Sequence, residues 1–299
     1  MDLDSGSPPY GSILAPVDGS SSSEIAVRRS LPLLTIPGTW LTLLHVEGDD
    51  ESKRRVERLA SEARGWGAKT AVTFVDGAPA AQILREIETD RYDLVLMTSR
   101  RRSALRRSLP GAVALRVLRR SPAPLLLYRP LSGLQESFFA TERSGPARFR
   151  KILLMLDGSE EAVRIFAPAL RLARAFTSEL ILFHAVEPRR FSEERVEAVR
   201  AYLAKQADAA AARGVATRLQ IVVGNPVEEA LRMLDGDADT VALTTRGHSS
   251  WRAAMLGSTS SEILGAAEGP VLCLASIPAL DLKEAARRLA LTAGGPAAR

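Results

Sequence analysis

The residues of this 299-residue chain whose types and spacing could do chemistry gather late in it: Thr244, Gly247, His248, Gly257, Ser258, Thr259 and Ser260. Thr240–Leu243 is an apolar run that reads as a buried strand, and the segment from Thr244 to Ser250 reads as a small-residue loop. Gly257-Ser258-Thr259-Ser260 then runs into Glu262-Ile263-Leu264-Gly265, which reads as a helix entered through hydroxyl caps. Strand, small-residue loop and helix start are the parts of an anion cradle. Glycine leaves room for a bulky anion and adopts φ > 0, so successive backbone N–H groups can converge on phosphate oxygens. The free N–H groups and partial positive charge of a helix N-terminus add to that attraction. In this reading Gly247 and Gly257 shape the cradle, and Ser258, Thr259 and Ser260 add hydroxyl donors. The same residues also fit a plain strand–loop–helix turn whose glycines and serines only bend and cap the chain.

Those parts need elements to position them, and the chain supplies two sets. Asp18-Gly19-Ser20 recurs as Asp157-Gly158-Ser159, and Leu41–Val46, with His45, recurs as Leu180–Ala185, with His184, both at an offset of 139. Farther on, Gly77-Ala78-Pro79 matches Gly224-Asn225-Pro226 at 147, and Thr98, Gly111 and Pro124 match Thr244, Gly257 and Pro270 at 146. The chain is therefore a tandem duplication with a small insertion between the second and third strands of its second copy. In that copy Ile152–Leu156, Leu180–Ala185, Thr217–Val223, Thr240–Leu243 and Val271–Ala275 are apolar runs separated by helical stretches. Such alternation predicts parallel strands with both sheet faces covered. Ile165, Phe166, Ala169, Leu172, Ala173 and Phe176 form a helical stripe, with Pro168 predicting a kink or an early first turn.

Asp157 follows the first strand of the second copy, at the sheet edge where open α/β folds bind ligands. A carboxylate repels phosphate, so Asp157 suits a base or ribose donor better than the anion; the plainer alternative is a strand-to-helix turn with Asp or Ser as its cap. The matching positions of His45 and His184 argue for a shared structural role.

Composition narrows the class. The chain is 46% hydrophobic and 25% charged, with a formal net charge of +5. No apolar run approaches the ~20 residues of a membrane span, and the opening Met-Asp-Leu-Asp-Ser-Gly-Ser lacks a basic-then-apolar leader pattern. A cytoplasmic location is expected. The single cysteine, Cys273, excludes an internal disulfide and multi-cysteine metal motifs, and its apolar strand makes it a buried, inert thiol. Arginines cluster at Arg100–Arg102, Arg106-Arg107 and Arg119-Arg120, but no aromatic residue lies between Tyr92 and Tyr128, so a solvated basic face is favoured over nucleic-acid binding.

Taken together, LDGSEEA after the first strand, the second-strand histidine, the strand order and the spacing Thr244, two residues, Gly247, nine residues, Gly257-Ser258 resemble the universal stress protein family in its tandem form. The family's pattern has glycine where Thr244 stands. The resemblance implies an α/β fold of two tandem doubly wound domains, each a five-stranded parallel sheet flanked by helices, Rossmann-like and adenine nucleotide alpha hydrolase-like. It divides the chain into an arm (1–11), a first domain (12–130), a linker (131–148), a second domain (149–277) and a C-terminal helix and tail (278–299). It implies ATP, with or without magnesium, in the second domain, the adenine near Asp157 and Ala185 and the phosphates on Gly247, Gly257, Ser258 and Ser260. In the first copy Thr98, Arg101, Gly111 and Ala112 occupy the motif positions, which predicts a partner domain that binds no nucleotide in the usual way. Family members pair through their last strands, which implies that Leu125–Tyr128 lies beside Val271–Leu274 and leaves room for a homodimer.

A nucleotide-binding stress-response or regulatory protein is the expected function, with no membrane partner. A weak ATPase is the enzymatic alternative: a Gly-Lys-Ser/Thr phosphate loop is missing, and His248, better read as a solvated or phosphate-pairing imidazole, is the sole candidate base. An adaptor contacting nucleic acid through the arginine face is the third.

Overall fold

Ile13, Leu14 and Ala15 are apolar at consecutive positions because their strand, β1 (Ser12–Pro16), is covered on both sides: Leu14 joins one core, Ile13 and Ala15 the other. The same holds for the inner strands of the sheet, whereas the two outermost strands carry no buried residue. β2 (Trp40–Val46), β3 (Lys69–Val75), β4 (Leu94–Thr98) and β5 (Leu125–Tyr128) complete the first half. β6 (Lys151–Met155), β7 (Glu179–Val186), β8 (Thr217–Val223), β9 (Thr240–Thr244) and β10 (Val271–Leu274) form the second. The computed structural model describes residues 8–89, 92–99, 111–129, 147–245 and 256–276.

The strands form one ten-stranded sheet in the order β3-β2-β1-β4-β5-β10-β9-β6-β7-β8. Within each half every pairing is parallel, as the sequence implies, and β5 meets β10 antiparallel, with Leu126 opposite Leu272. The two five-stranded sheets are therefore continuous. β5 and β10 are buried along their whole length, and burial of a leucine side chain contributes about 1.5–3 kcal/mol. Alternate residues of both strands feed both cores: Leu126, Tyr128, Leu272 and Leu274 on one face, Leu125, Leu127, Val271 and Cys273 on the other.

Helices cover the faces. In the first half these are α1 (Ser21–Arg29), α2 (Leu31–Leu34), α3 (Asp50–Gly65), α4 (Pro79–Ile87) and α5 (Ala112–Arg120). In the second they are α6 (Glu160–Val163), α7 (Phe166–Phe176), α8 (Glu193–Ala211), α9 (Pro226–Gly236) and α10 (Ser258–Ala266). α1, α3, α7 and α8 bury their apolar residues on one side, α4, α5, α9 and α10 on the other. Pro168 produces the early first turn: α6 stops at Val163 and α7 restarts at Phe166, placing the proline before any intrahelical N–H is needed.

One expectation needs correction, that the arm is flexible throughout, and the linker is tied down at its end as well. The arm 1–11 is not loose at its end, because Tyr10 is fully buried and donates its hydroxyl to the Pro168 carbonyl at 2.7 Å, tying the first half to α7 of the second. The linker 131–148 is likewise anchored where Ala147, also buried, donates its N–H to the Arg29 carbonyl at 2.7 Å. Most of the linker, the C-terminal helix and tail and Arg100–Arg102 with Arg106-Arg107 lie outside the described residues. Arg119 and Arg120 are exposed in the last turn of α5, where cations complement the helix dipole.

Candidate nucleotide site

Both copies build the same turn after their first strand. Ser20 donates its N–H and hydroxyl to Asp18 Oδ1 at 3.1 and 2.6 Å, and Ser159 does the same to Asp157 Oδ1 at 3.0 and 2.6 Å. Each serine in turn caps the next helix, Ser20 accepting from Ser23 N–H and Ser159 from Ala162 N–H. Gly19 and Gly158 adopt φ +75° and +86°, the left-handed conformation that lets the chain fold back between the aspartate and the cap. The two histidines fix the strand ends beside this turn. His45 Nδ1 is 2.8 Å from the Val17 carbonyl and His184 Nδ1 2.7 Å from the Leu156 carbonyl, and since a carbonyl only accepts, Nδ1 carries the proton in each ring. The shared structural role of the pair is thus a strand-to-strand clamp.

In the second half, the carboxyl ends of β6, β7 and β9 enclose a cavity of about 210 Å³. It opens where the strand order reverses, β6 lying between β7 and β9. Leu156, Phe183, Val186 and Leu243 supply apolar wall, while Asp157, Ala185, Thr244, Gly257, Ser258, Thr259 and Ser260 all face it. Gly247 and His248 lie outside the described residues.

The candidate anion end is the start of α10. Its cap residue, Gly257, has φ −62° and no side-chain cap, so the first-turn N–H groups are not closed off by a hydroxyl or carboxylate. The value also corrects one expectation, since Gly257 has no need of the left-handed region. Gly257 N–H donates to the Thr245 carbonyl at 2.8 Å. Ser260 is buried and donates its hydroxyl to the Thr244 carbonyl at 2.9 Å, so it holds α10 to the end of β9 instead of offering a proton to a ligand. Ser258 and Thr259 remain as hydroxyls on the cavity wall. Thr244 itself is buried at the tip of β9.

The first half has the same skeleton and a different filling. α5 also starts on an uncapped glycine, Gly111 with φ −56°, but its first turn is Ala112, Val113 and Ala114 and brings no hydroxyl. Only residues 47–49 join β2 to α3, so the N-terminus of α3 drops onto the strand ends. Ser52 lies 3.2 Å from His45 Nε2, and a Cβ built on Gly19 would meet Ser52 Cβ at 2.8 Å. A Cβ on Gly48 would overlap both His45 Nε2 and Ser52 Oγ. At these strand ends Ser52, in the first turn of α3, packs against Gly19, Gly48 and His45. Arg101, expected to close this copy, is outside the described residues.

The longer join in the second half, residues 187–192 between β7 and α8, carries a short 3₁₀ turn (Pro188–Arg190). It adds Glu187 and Arg190 to the cavity wall, and the first turn of α8 adds Arg195. These three were missed from the sequence; the signal was the jump in repeat offset from 139 to 147, which marks the insertion but not which of its residues turn inward.

The family model for the universal stress protein family matches residues 47–129 and 148–275, one segment in each half. The chain belongs to the universal stress protein family. A universal stress protein of Thermus aquaticus is 34% identical over 139 residues, which cover 42% of this chain and 97% of that protein. The crystal structure of a universal stress protein from Archaeoglobus fulgidus superposes with a TM-score of 0.68 at 22% identity, over 89% of this chain and 98% of that one. A second structure from Archaeoglobus fulgidus, a universal stress protein in complex with dAMP, matches 42% of this chain and 97% of its own at 18% identity and a TM-score of 0.36. The doubly wound fold is thus shared with the family, and its tandem form with the Archaeoglobus structure that superposes over most of the chain. Among the described residues no group of three or more His, Cys, Asp or Glu gathers as a metal site, and no helix is long and apolar enough to cross a membrane.

Proposed function

We propose that this universal stress protein holds an adenine nucleotide, ATP as first candidate, in the cavity of its second half, and that the first half is a non-binding partner. The observation that carries the reading is the juxtaposition of an apolar slot, a carboxylate and an uncapped helix start in one cavity. Asp157 is oriented by Ser159 and accepts hydrogen bonds only, which suits the amino or ribose hydroxyl donors of a nucleoside. Ala185 and the apolar wall suit the base, and the Ser258 and Thr259 hydroxyls with the α10 N-terminus suit the phosphates. Magnesium would arrive on the phosphates, since it is commonly bound through substrate phosphates with few protein ligands. The chain acts by binding and by what binding does to the 187–192 join, in a stress-response or regulatory role.

Thermal unfolding with and without nucleotide tests this. At 100-fold excess over its dissociation constant a ligand stabilises by about 2.7 kcal/mol, a rise of several degrees for a domain of this size. Gly257→Arg, which fills the anion end, abolishes that rise in this reading. A rise that survives Gly257→Arg, or no rise with any adenine nucleotide in the wild type, overturns it.

A further inference from the structure

The cavity has a second cationic end. Arg190 and Arg195 face it from the β7–α8 side, whereas the α10 start faces it from the β9 side. β6 lies between, so the two ends are about two strand spacings, ~10 Å, apart. Guanidinium groups donate only, remain charged at any physiological pH, and match the geometry of phosphate or carboxylate oxygens. A nucleotide with all its phosphates on α10 would leave these donors facing a base and ribose.

We propose that Arg190 and Arg195 form a second anion-contacting end, so that the ligand of this cavity is a nucleotide with a further acidic group, a phosphate or carboxylate, on the side away from α10. The proposal rests on the nucleotide reading above. Two structural contrasts support it. Asp157 is held by Ser159, and Arg190 has only a 3.6 Å, exposed contact with Glu187. In the first half the arginine that reaches the equivalent turn, Arg55, is taken up by Glu51 at 2.7 Å and by the Gly19 carbonyl at 3.5 Å. The second half therefore differs from the first in presenting two arginines to the mouth of the cavity.

The full chain is titrated calorimetrically with adenosine 5′-monophosphate and adenosine 3′,5′-bisphosphate, in the wild type and in Arg190→Gln/Arg195→Gln. One added charge-assisted contact corresponds to about tenfold in affinity. The bisphosphate is expected to bind the wild type at least about tenfold more tightly, and the ratio to fall below about twofold in the double variant. Arg195→Glu should bring the ratio to or below one, and both arginines are exposed, so these changes leave the core intact. Equal binding of the two probes by the wild type, or a preference that persists in the double variant, overturns the second anion end while leaving the nucleotide site standing. Failure of both probes to bind the wild type overturns the nucleotide reading and this inference with it.

Discussion

The hydroxyl of Ser260 and the carbonyl of Thr244 are joined by a buried hydrogen bond of 2.9 Å that pins the first turn of α10 to the tip of β9. Ser260→Ala removes it and leaves the carbonyl to other partners. The expected loss is about 0.5–1.5 kcal/mol in urea unfolding, together with weaker nucleotide binding, because the helix start is no longer registered against the cavity. A variant that loses stability and binds nucleotide unchanged would show that the anion end does not depend on this contact.

His184→Leu and His45→Leu each strip a donor from a buried carbonyl, that of Leu156 or Val17. Each should cost about 1–3 kcal/mol. His184 also lines the cavity, so His184→Leu alone should lower the nucleotide-induced melting shift. Equal shifts in the two variants would remove His184 from the site.

Asp237 accepts from Lys151 Nζ at 2.5 Å and from Arg218, and these hydrogen bonds, that of Lys151 foremost, hold its carboxyl below the usual range. A carboxyl depressed in the folded chain contributes stability that is present above its unfolded pKa and is lost as pH falls through the lower folded value. The difference in unfolding free energy between the wild type and Asp237→Asn should be full near neutral pH and shrink as pH falls past about 4. A difference that grows on acidification would contradict the sign.

Tyr10→Phe deletes the hydroxyl that reaches from the first half to Pro168 of the second. A loss of about 0.5–1.5 kcal/mol is expected, with one cooperative transition retained. Separation of the melt into two steps would mean that the continuous sheet does not couple the halves.

Much of this architecture was legible before any coordinates. Thr217–Val223 has the same bounds as β8, an outer strand that mixes polar and apolar residues; the other four strands of the second half fall within a residue of the apolar runs, because a parallel strand buried on both faces must be apolar throughout. Ile165, Ala169, Leu172 and Ala173 are all fully buried, as their helical spacing requires. Asp157, Ala185, Thr244 and Gly257–Ser260 are found around one cavity. What pattern could not supply was where a polar side chain spends its hydrogen bonds. Ser260 reads as a ligand donor and proves to be tied to Thr244, while Ser52, an ordinary helix-start serine in the sequence, packs against His45 at the strand ends of the first half. Arg190 and Arg195 escaped for the same reason, since their placement follows from the length of a join and not from any periodicity.

The antiparallel meeting of β5 and β10 has a consequence for how the gene can be divided. Either half made separately would carry a four-residue apolar ribbon in water with one side of its backbone unsatisfied. Such a fragment is primed to recruit whatever strand it meets, including its own twin. Translation as one polypeptide supplies the correct mate at once and keeps the two unlike halves at one to one in every molecule, a stoichiometry that two separately expressed genes would have to maintain by matched dosage.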